Sequence, residues 1–272
     1  MTDLHPGLSE TRPFALSVAQ WTLGEPDLHA AFDRVARAGY DGVELATDRS
    51  PEDLRRALAA SGLSATAICP AWGSRRDFAS EAPSVRRSAA AELHRAIQLA
   101  SEVEAAVVIV VPSDRPDRPP GCSRQEMLFA AAATITGVLD QYPGLTTDVV
   151  IEPLNRYETH LVRTLDDAAA LCQLIGSPRI GLMADVFHMH LEEDSLTDPL
   201  LRHGAQLRHV HLADNQRREP GSGCLDLETV ISVLLQAGYQ GAFGNEFLPT
   251  TDDALKRGQE HLSRLIAALP RS

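Results

Sequence analysis

The chain has 272 residues, 44% of them hydrophobic and 23% charged, which is the composition of an ordinary globular protein long enough for one large domain with a well-buried core. A net charge of −12, with Lys and Arg nowhere clustered, excludes the electrostatic grip that a nucleic-acid partner requires. No stretch approaches the roughly 18–20 apolar residues that span a bilayer, so no membrane partner is expected, and residues 1–13 are polar, without an apolar signal core.

In chain order, short apolar runs alternate with helical patterns. Strands are expected at 14–18, 42–45, 65–68, 105–111, 148–152, 180–185, 207–212 and 242–246. Helices are expected between and after them near 27–38, 51–61, 83–102, 124–141, 165–175, 199–203, 225–237 and 251–269. Such alternation demands a parallel sheet, and eight strands close naturally into a (β/α)8 TIM barrel of the α/β class. One domain over 1–272 is expected, with 1–13 as a flexible tail, and the acidic composition suits a cytoplasmic enzyme. A doubly wound sheet is the alternative, but residues 19–24 are not the Gly-rich phosphate loop it would carry after its first strand. The Pro-rich stretch 112–120 reads as a lid or subunit-contact loop on the mouth side. Cys69, Cys122, Cys172 and Cys224 lack C-x-x-C spacing and read as buried, reduced thiols.

Four of the apolar runs lead directly into a side chain able to bind a metal: Glu152, Asp185, His211 and Glu246. A carboxylate closing a buried strand is costly unless paired or bound to a cation. The four recur at intervals of roughly 30 residues, the length of one strand–helix repeat, and strand C-termini in a barrel open onto one mouth. Three carboxylates and one imidazole form an oxygen-rich set suited to Mn²⁺ first, with Mg²⁺ or Co²⁺ as alternatives, rather than to structural zinc. Open coordination positions would let adjacent oxygens of a hydroxy-ketone bind and the carbonyl polarise. Glu152 and Glu246 are the natural acid–base pair, one removing a proton and the other returning it through a metal-stabilised enediolate.

His188, three residues beyond Asp185, is placed by a turn at the mouth where it can face a substrate oxygen. His209 shares a strand face with His211 one layer deeper and suits a supporting or core role. Trp21 and Trp72 stand near strand ends and can pack on the carbon skeleton of a sugar; Phe247 can do so or fill core. Glu44 also closes a strand, but its sequence neighbours offer no matching ligand, so it reads as pocket wall. Glu158 and Arg217 follow Glu152 and His211 by six residues each and lie on mouth-side loops. The turn at 220–223 lacks the preceding strand and following Lys of a phosphate cradle.

The segments 152–158 (EPLNRYE), 185–189 (DVFHM), 209–217 (HVHLADNQR) and Asn245-Glu246 resemble the xylose-isomerase-like barrel superfamily, and within it the D-tagatose 3-epimerase and D-psicose 3-epimerase group. The resemblance implies that Glu152, Asp185, His211 and Glu246 hold the metal, with Glu152 and Glu246 doubling as proton carriers. It also implies that Glu158, His188 and Arg217 hold the substrate's first oxygens, and that the chain forms a homodimer or homotetramer. The resulting expectation is a metal-dependent 3-epimerase or isomerase of a ketose, cyclitol or related polyhydroxy-ketone. An inosose-type dehydratase or inosose isomerase would use the same site. An endonuclease IV-like phosphodiesterase is the remaining alternative, although it would call for a His-rich metal cluster and a basic groove.

Overall fold

The computed structural model describes residues 14–72, 75–249 and 251–269; the expected N-terminal tail, 1–13, lies outside them. Eight parallel strands form a closed barrel in sequence order, β1 (Leu16–Ala19), β2 (Gly42–Leu45), β3 (Ser64–Ile68), β4 (Val107–Val110), β5 (Asp148–Ile151), β6 (Ile180–Asp185), β7 (Leu207–Leu212) and β8 (Phe243–Asn245). The ring closes where Leu16, Ser17 and Val18 of β1 pair with Phe243, Gly244 and Asn245 of β8. The surrounding helices are α1 (Leu28–Arg37), α2 (Pro51–Ser61), α3 (Pro83–Val103), α4 (Arg124–Leu139), α5 (Leu165–Ile175), α6 (Val186–Glu192), α7 (Asp198–His203), α8 (Leu227–Gln236) and α9 (Ala254–Ala268). Among the described residues no helix is long and apolar enough to cross a membrane.

Local chemistry explains where the helices begin and end. Ser50 caps α2 by accepting from Asp53 N, Pro51 fills the first position, and Gly62 ends the helix at φ 74°, a conformation a side chain would resist. Ser123 and Glu126 form a reciprocal capping box at α4. The alternation along the strands then divides the core. Val108, Val110, Val149 and Ile151 join the large cluster beneath the helices, while Ala67, Val107, Ile109, Val150 and Met183 form a separate small cluster on the opposite face of β3–β6, inside the barrel.

Two expectations need correction. A helix, α6, starts directly after β6 where only a turn was expected, because the Asp185 side chain accepts from Phe187 N and His188 N and caps it. The cysteines are all free, but only Cys172 is buried; Cys69 and Cys122 are partly exposed and Cys224 is exposed. The 112–120 loop is anchored at its start: Phe78 N donates to Pro112 O, Ser113 Oγ donates to Asp77 Oδ2, and His160 N donates to Arg115 O.

Candidate metal centre and active site

Consecutive strands β5 to β8 deliver one side chain each to the barrel mouth. Glu152 and Glu246 stand one residue beyond β5 and β8, Asp185 ends β6, and His211 lies in β7 opposite Gly244 of β8. The ladders hold these ends in place, since Glu152 N donates to Val110 O and Glu246 N to Leu212 O. One ligand atom from each of the four lies within 4.8 Å of the others, and all four residues are buried. Asp185 has its two oxygens divided: Oδ1 caps α6, which leaves Oδ2 facing the centre, 3.5 Å from His211 Nδ1. His211 Nδ1 also lies 2.9 Å from Glu246 Oε2 and 4.0 Å from Glu152 Oε1.

This crowding of acids sets the electrostatics. Burial and then the Glu246 charge push the Glu152 carboxyl well above the usual carboxylate range. Burial acts the same way on Asp185 and Glu246, but Arg217 together with His188 and His211 at Asp185, and with His211 at Glu246, holds both carboxyls below that range. The His211 imidazole is pushed down by burial, but Glu44, Glu246 and Asp185 together raise it well above the usual imidazole range. The acids gathered at the Nδ1 edge of His211 therefore favour positive charge there. Hard oxygen donors around one imidazole nitrogen fit a divalent cation, which would be held by Glu152, Asp185, His211 and Glu246.

The other anticipated residues surround this centre unequally. Arg217 inserts its guanidinium onto the acids, with Nη1 donating to Asp185 Oδ2 at 2.6 Å and Nη2 donating to Glu246 Oε2, and its Cζ lies 4.9 Å above the Phe187 ring. It reaches there from a turn in which Gln216 and Arg217 both have positive φ, 61° and 57°. Such a pair of non-glycine residues in the left-handed region is strained. His188 is buried, and its Nδ1 accepts from Asn155 N at 3.2 Å, which leaves the single proton of a neutral ring on Nε2 as a donor. Burial lowers the pKa of this imidazole. Glu158 is exposed at the rim, where it accepts from Asn155 Nδ2 at 2.7 Å. Trp21 is half exposed and donates from Nε1 to Glu246 Oε1 at 2.6 Å. Trp72 donates instead to Ile109 O and meets Phe78 edge-on, which makes it a wall of the barrel. Phe247 is fully buried core.

Residue-by-residue reading missed two members. Asn155 joins His188 to Glu158, and its place three residues after Glu152 was the available signal. Glu44, expected as pocket wall, is buried inside the barrel against His209 and His211. Its partners lie across the barrel on β7, a pairing that strand periodicity alone does not show.

The chain belongs to the xylose isomerase-like TIM barrel family, whose sequence profile matches residues 32–265. A 3-dehydro-D-guloside 4-epimerase of Escherichia coli (strain K12) is 31% identical over 221 residues, covering 77% of this chain and 83% of that protein. A ketose 3-epimerase of Arthrobacter globiformis is 28% identical over 212 residues, covering 76% and 73%. The apo crystal structure of a 3-keto-D-glucoside 4-epimerase from E. coli superposes with a TM-score of 0.84 at 24% identity, over 93% of this chain and 98% of that one.

Proposed function

We propose that the protein is a divalent-metal-dependent sugar epimerase that inverts a carbon next to a ketone in a ketose or related polyhydroxy-ketone, with 3-epimerisation of a free ketose as the first reading. The observation that carries it is the pair Glu152 and Glu246, brought from β5 and β8 to one buried centre where a ligand atom of each lies within 4.8 Å of those of Asp185 and His211. Two carboxyls at one centre let one take a proton as base while the other gives one as acid. When bound, the metal, with Mn²⁺ first and Mg²⁺ or Co²⁺ as alternatives, polarises the substrate carbonyl and makes the neighbouring C–H more acidic.

The chain's own groups divide the remaining work. Glu246, ionised, takes the proton as the C–H bond breaks, and the electron pair moves into the carbon–carbon bond of an enediolate. Glu152, protonated, returns a proton to the opposite face, and the reverse reaction exchanges the two roles. His188 donates its Nε2 proton to a substrate oxygen, while Arg217 and Glu158 bind neighbouring oxygens. The Trp21 hydrogen bond holds Glu246 in its reactive orientation. The buried setting keeps water from quenching the carbanion.

A second reading, 4-epimerisation of a 3-keto-glycoside, uses the same step, since carbon 4 is next to carbonyl 3 just as carbon 3 is next to carbonyl 2. It is favoured by the similarity to the E. coli 4-epimerase, the higher of the two identities. Incubating the Mn²⁺-loaded protein in D₂O with free ketoses, 3-keto-glycosides, inososes and the corresponding phosphates separates these readings by NMR and mass spectrometry. Deuterium at one carbon of an epimerised product is expected, and its position names the substrate class. Loss of one water from the product, or no exchange with any member of the panel, would overturn the epimerase reading.

A further inference from the structure

The barrel interior below the metal-binding side chains is divided. On the β3–β6 side it is the small apolar cluster, whereas on the other side Ser17 of β1, Glu44 of β2 and His209 of β7 are polar and at most 1% exposed. A buried carboxylate in such a place needs partners for both oxygens. Glu44 Oε1 lies 2.9 Å from His209 Nε2 and accepts from Ser17 Oγ at 3.2 Å, and Oε2 lies 2.7 Å from His211 Nε2. These are the lengths of N–H···O⁻ hydrogen bonds, so each Nε2 is the donor. His209 Nδ1 is buried without a partner, which suits a neutral ring whose only proton is on Nε2.

Gly244 shows that the packing is built around this contact. A Cβ there would lie 1.8 Å from Glu44 Oε1 and 2.8 Å from His211 Cδ2, so any other residue would occupy the space where the two meet. With its Nε2 proton committed to Glu44, His211 can give up only the proton on Nδ1, which donates to Glu246 Oε2 at 2.9 Å and lies among Asp185 and Glu152, and a cation taking that proton's place meets the Nδ1 lone pair.

We infer that Glu44 is a positioning residue that fixes His211 as the Nε2–H tautomer and thereby presents its Nδ1 lone pair to the divalent cation. The inference rests on the metal reading above. It accounts for a carboxylate inside the barrel that neither faces the mouth nor takes part in the proton transfers. The competing possibility is that Glu44, His209 and His211, whose ligand atoms also lie within 4.8 Å of one another, hold a second ion.

The test compares wild-type protein with Glu44→Gln and Glu44→Asp. Mn²⁺ per chain is counted by mass spectrometry of the metal, Mn²⁺ affinity is measured by calorimetry, and the His211 tautomer is read by long-range ¹⁵N–¹H NMR on Mg²⁺-loaded protein. One ion per chain and an Nε2–H His211 are expected in the wild type. Glu44→Gln should bind Mn²⁺ about 10- to 100-fold more weakly, the usual effect of losing a carboxylate behind a ligand histidine, and Glu44→Asp should recover part of the loss. An unchanged affinity in Glu44→Gln, an Nδ1–H tautomer in the wild type, or a second ion that Glu44→Gln loses would each overturn the inference while leaving the metal reading intact. A wild type that binds no Mn²⁺ would overturn the metal reading itself. Should Glu44→Gln fail to fold, the wild-type tautomer and stoichiometry still decide.

Discussion

Arg217→Ala should destabilise the metal-free protein strongly and the metal-loaded protein much less. The guanidinium is 13% exposed and bridges Asp185 and Glu246, whose side chains are 0% and 8% exposed. The value for an exposed ion pair, at most about 1 kcal/mol, therefore does not apply. Removing one member of a buried pair costs about 3–5 kcal/mol, because the partner charges stay buried and uncompensated. At roughly 2–4 °C per kcal/mol for a chain of this size, the melting temperature in chelator should fall by about 6–20 °C. A divalent ion neutralises the same oxygens, so saturating Mn²⁺ should recover most of the loss. Arg217→Gly is the control for backbone strain: φ of 57° costs glycine little, and this variant should be about 1 kcal/mol more stable than the alanine variant. Calorimetric melts of the three proteins with chelator and with Mn²⁺ provide the comparison. A deficit below about 1 kcal/mol in chelator, or one of equal size with and without Mn²⁺, refutes the reasoning.

Three further expectations concern the surroundings of the centre. Gly244→Ala forces a Cβ onto Glu44 and His211; overpacking of this kind costs about 1–3 kcal/mol, and both thermal stability and Mn²⁺ affinity should fall, with native values for both counting against the described packing. Trp21→Phe keeps the aromatic face but removes the donor to Glu246, so kcat/KM should drop by about tenfold, the low end for a hydrogen bond to a charged group; unchanged steady-state kinetics would show that this bond does not matter. Burial raises the Asp77 carboxyl above its ordinary 3.8 despite bonds from Ala79 N and Ser113 Oγ. A raised folded-state pKa means that its contribution to stability is complete below 3.8 and is lost as pH rises through the folded value. The stability of Asp77→Asn relative to wild type should therefore grow as pH rises from the unfolded value toward neutrality. Urea titrations across that range that give a constant difference would contradict the shift.

The barrel and the convergence of its four metal-capable side chains were legible because β5, β6 and β8 are apolar runs whose last or next residue departs from the pattern, and β7 carries His211 one residue before its end. Burial makes such a departure expensive, so it carries information about the site. Arg217 was legible as a mouth-side residue but not as the bridge between Asp185 and Glu246, since its aim depends on positive φ at two residues without glycine. Helix α6 depends on which way one Asp185 oxygen points, and no periodicity records that. Glu44 was hardest to read. Its partners on β7 are 165 and 167 residues away in sequence and become neighbours only when the barrel closes. Its position across from the histidines depends on the stagger of the strands, which a hydrophobic pattern does not specify.

The central claim, that Glu152 and Glu246 each carry one proton, is tested most directly by deuterium exchange in Glu152→Gln and Glu246→Gln, each Mn²⁺-loaded and supplied in D₂O with either epimer of the substrate that the panel identifies. Each variant should retain Mn²⁺, lose at least about 100-fold in epimer conversion, and still exchange deuterium from the one epimer whose proton faces the remaining glutamate. Conversion and exchange at native rates from both epimers in either variant would contradict the two-glutamate mechanism.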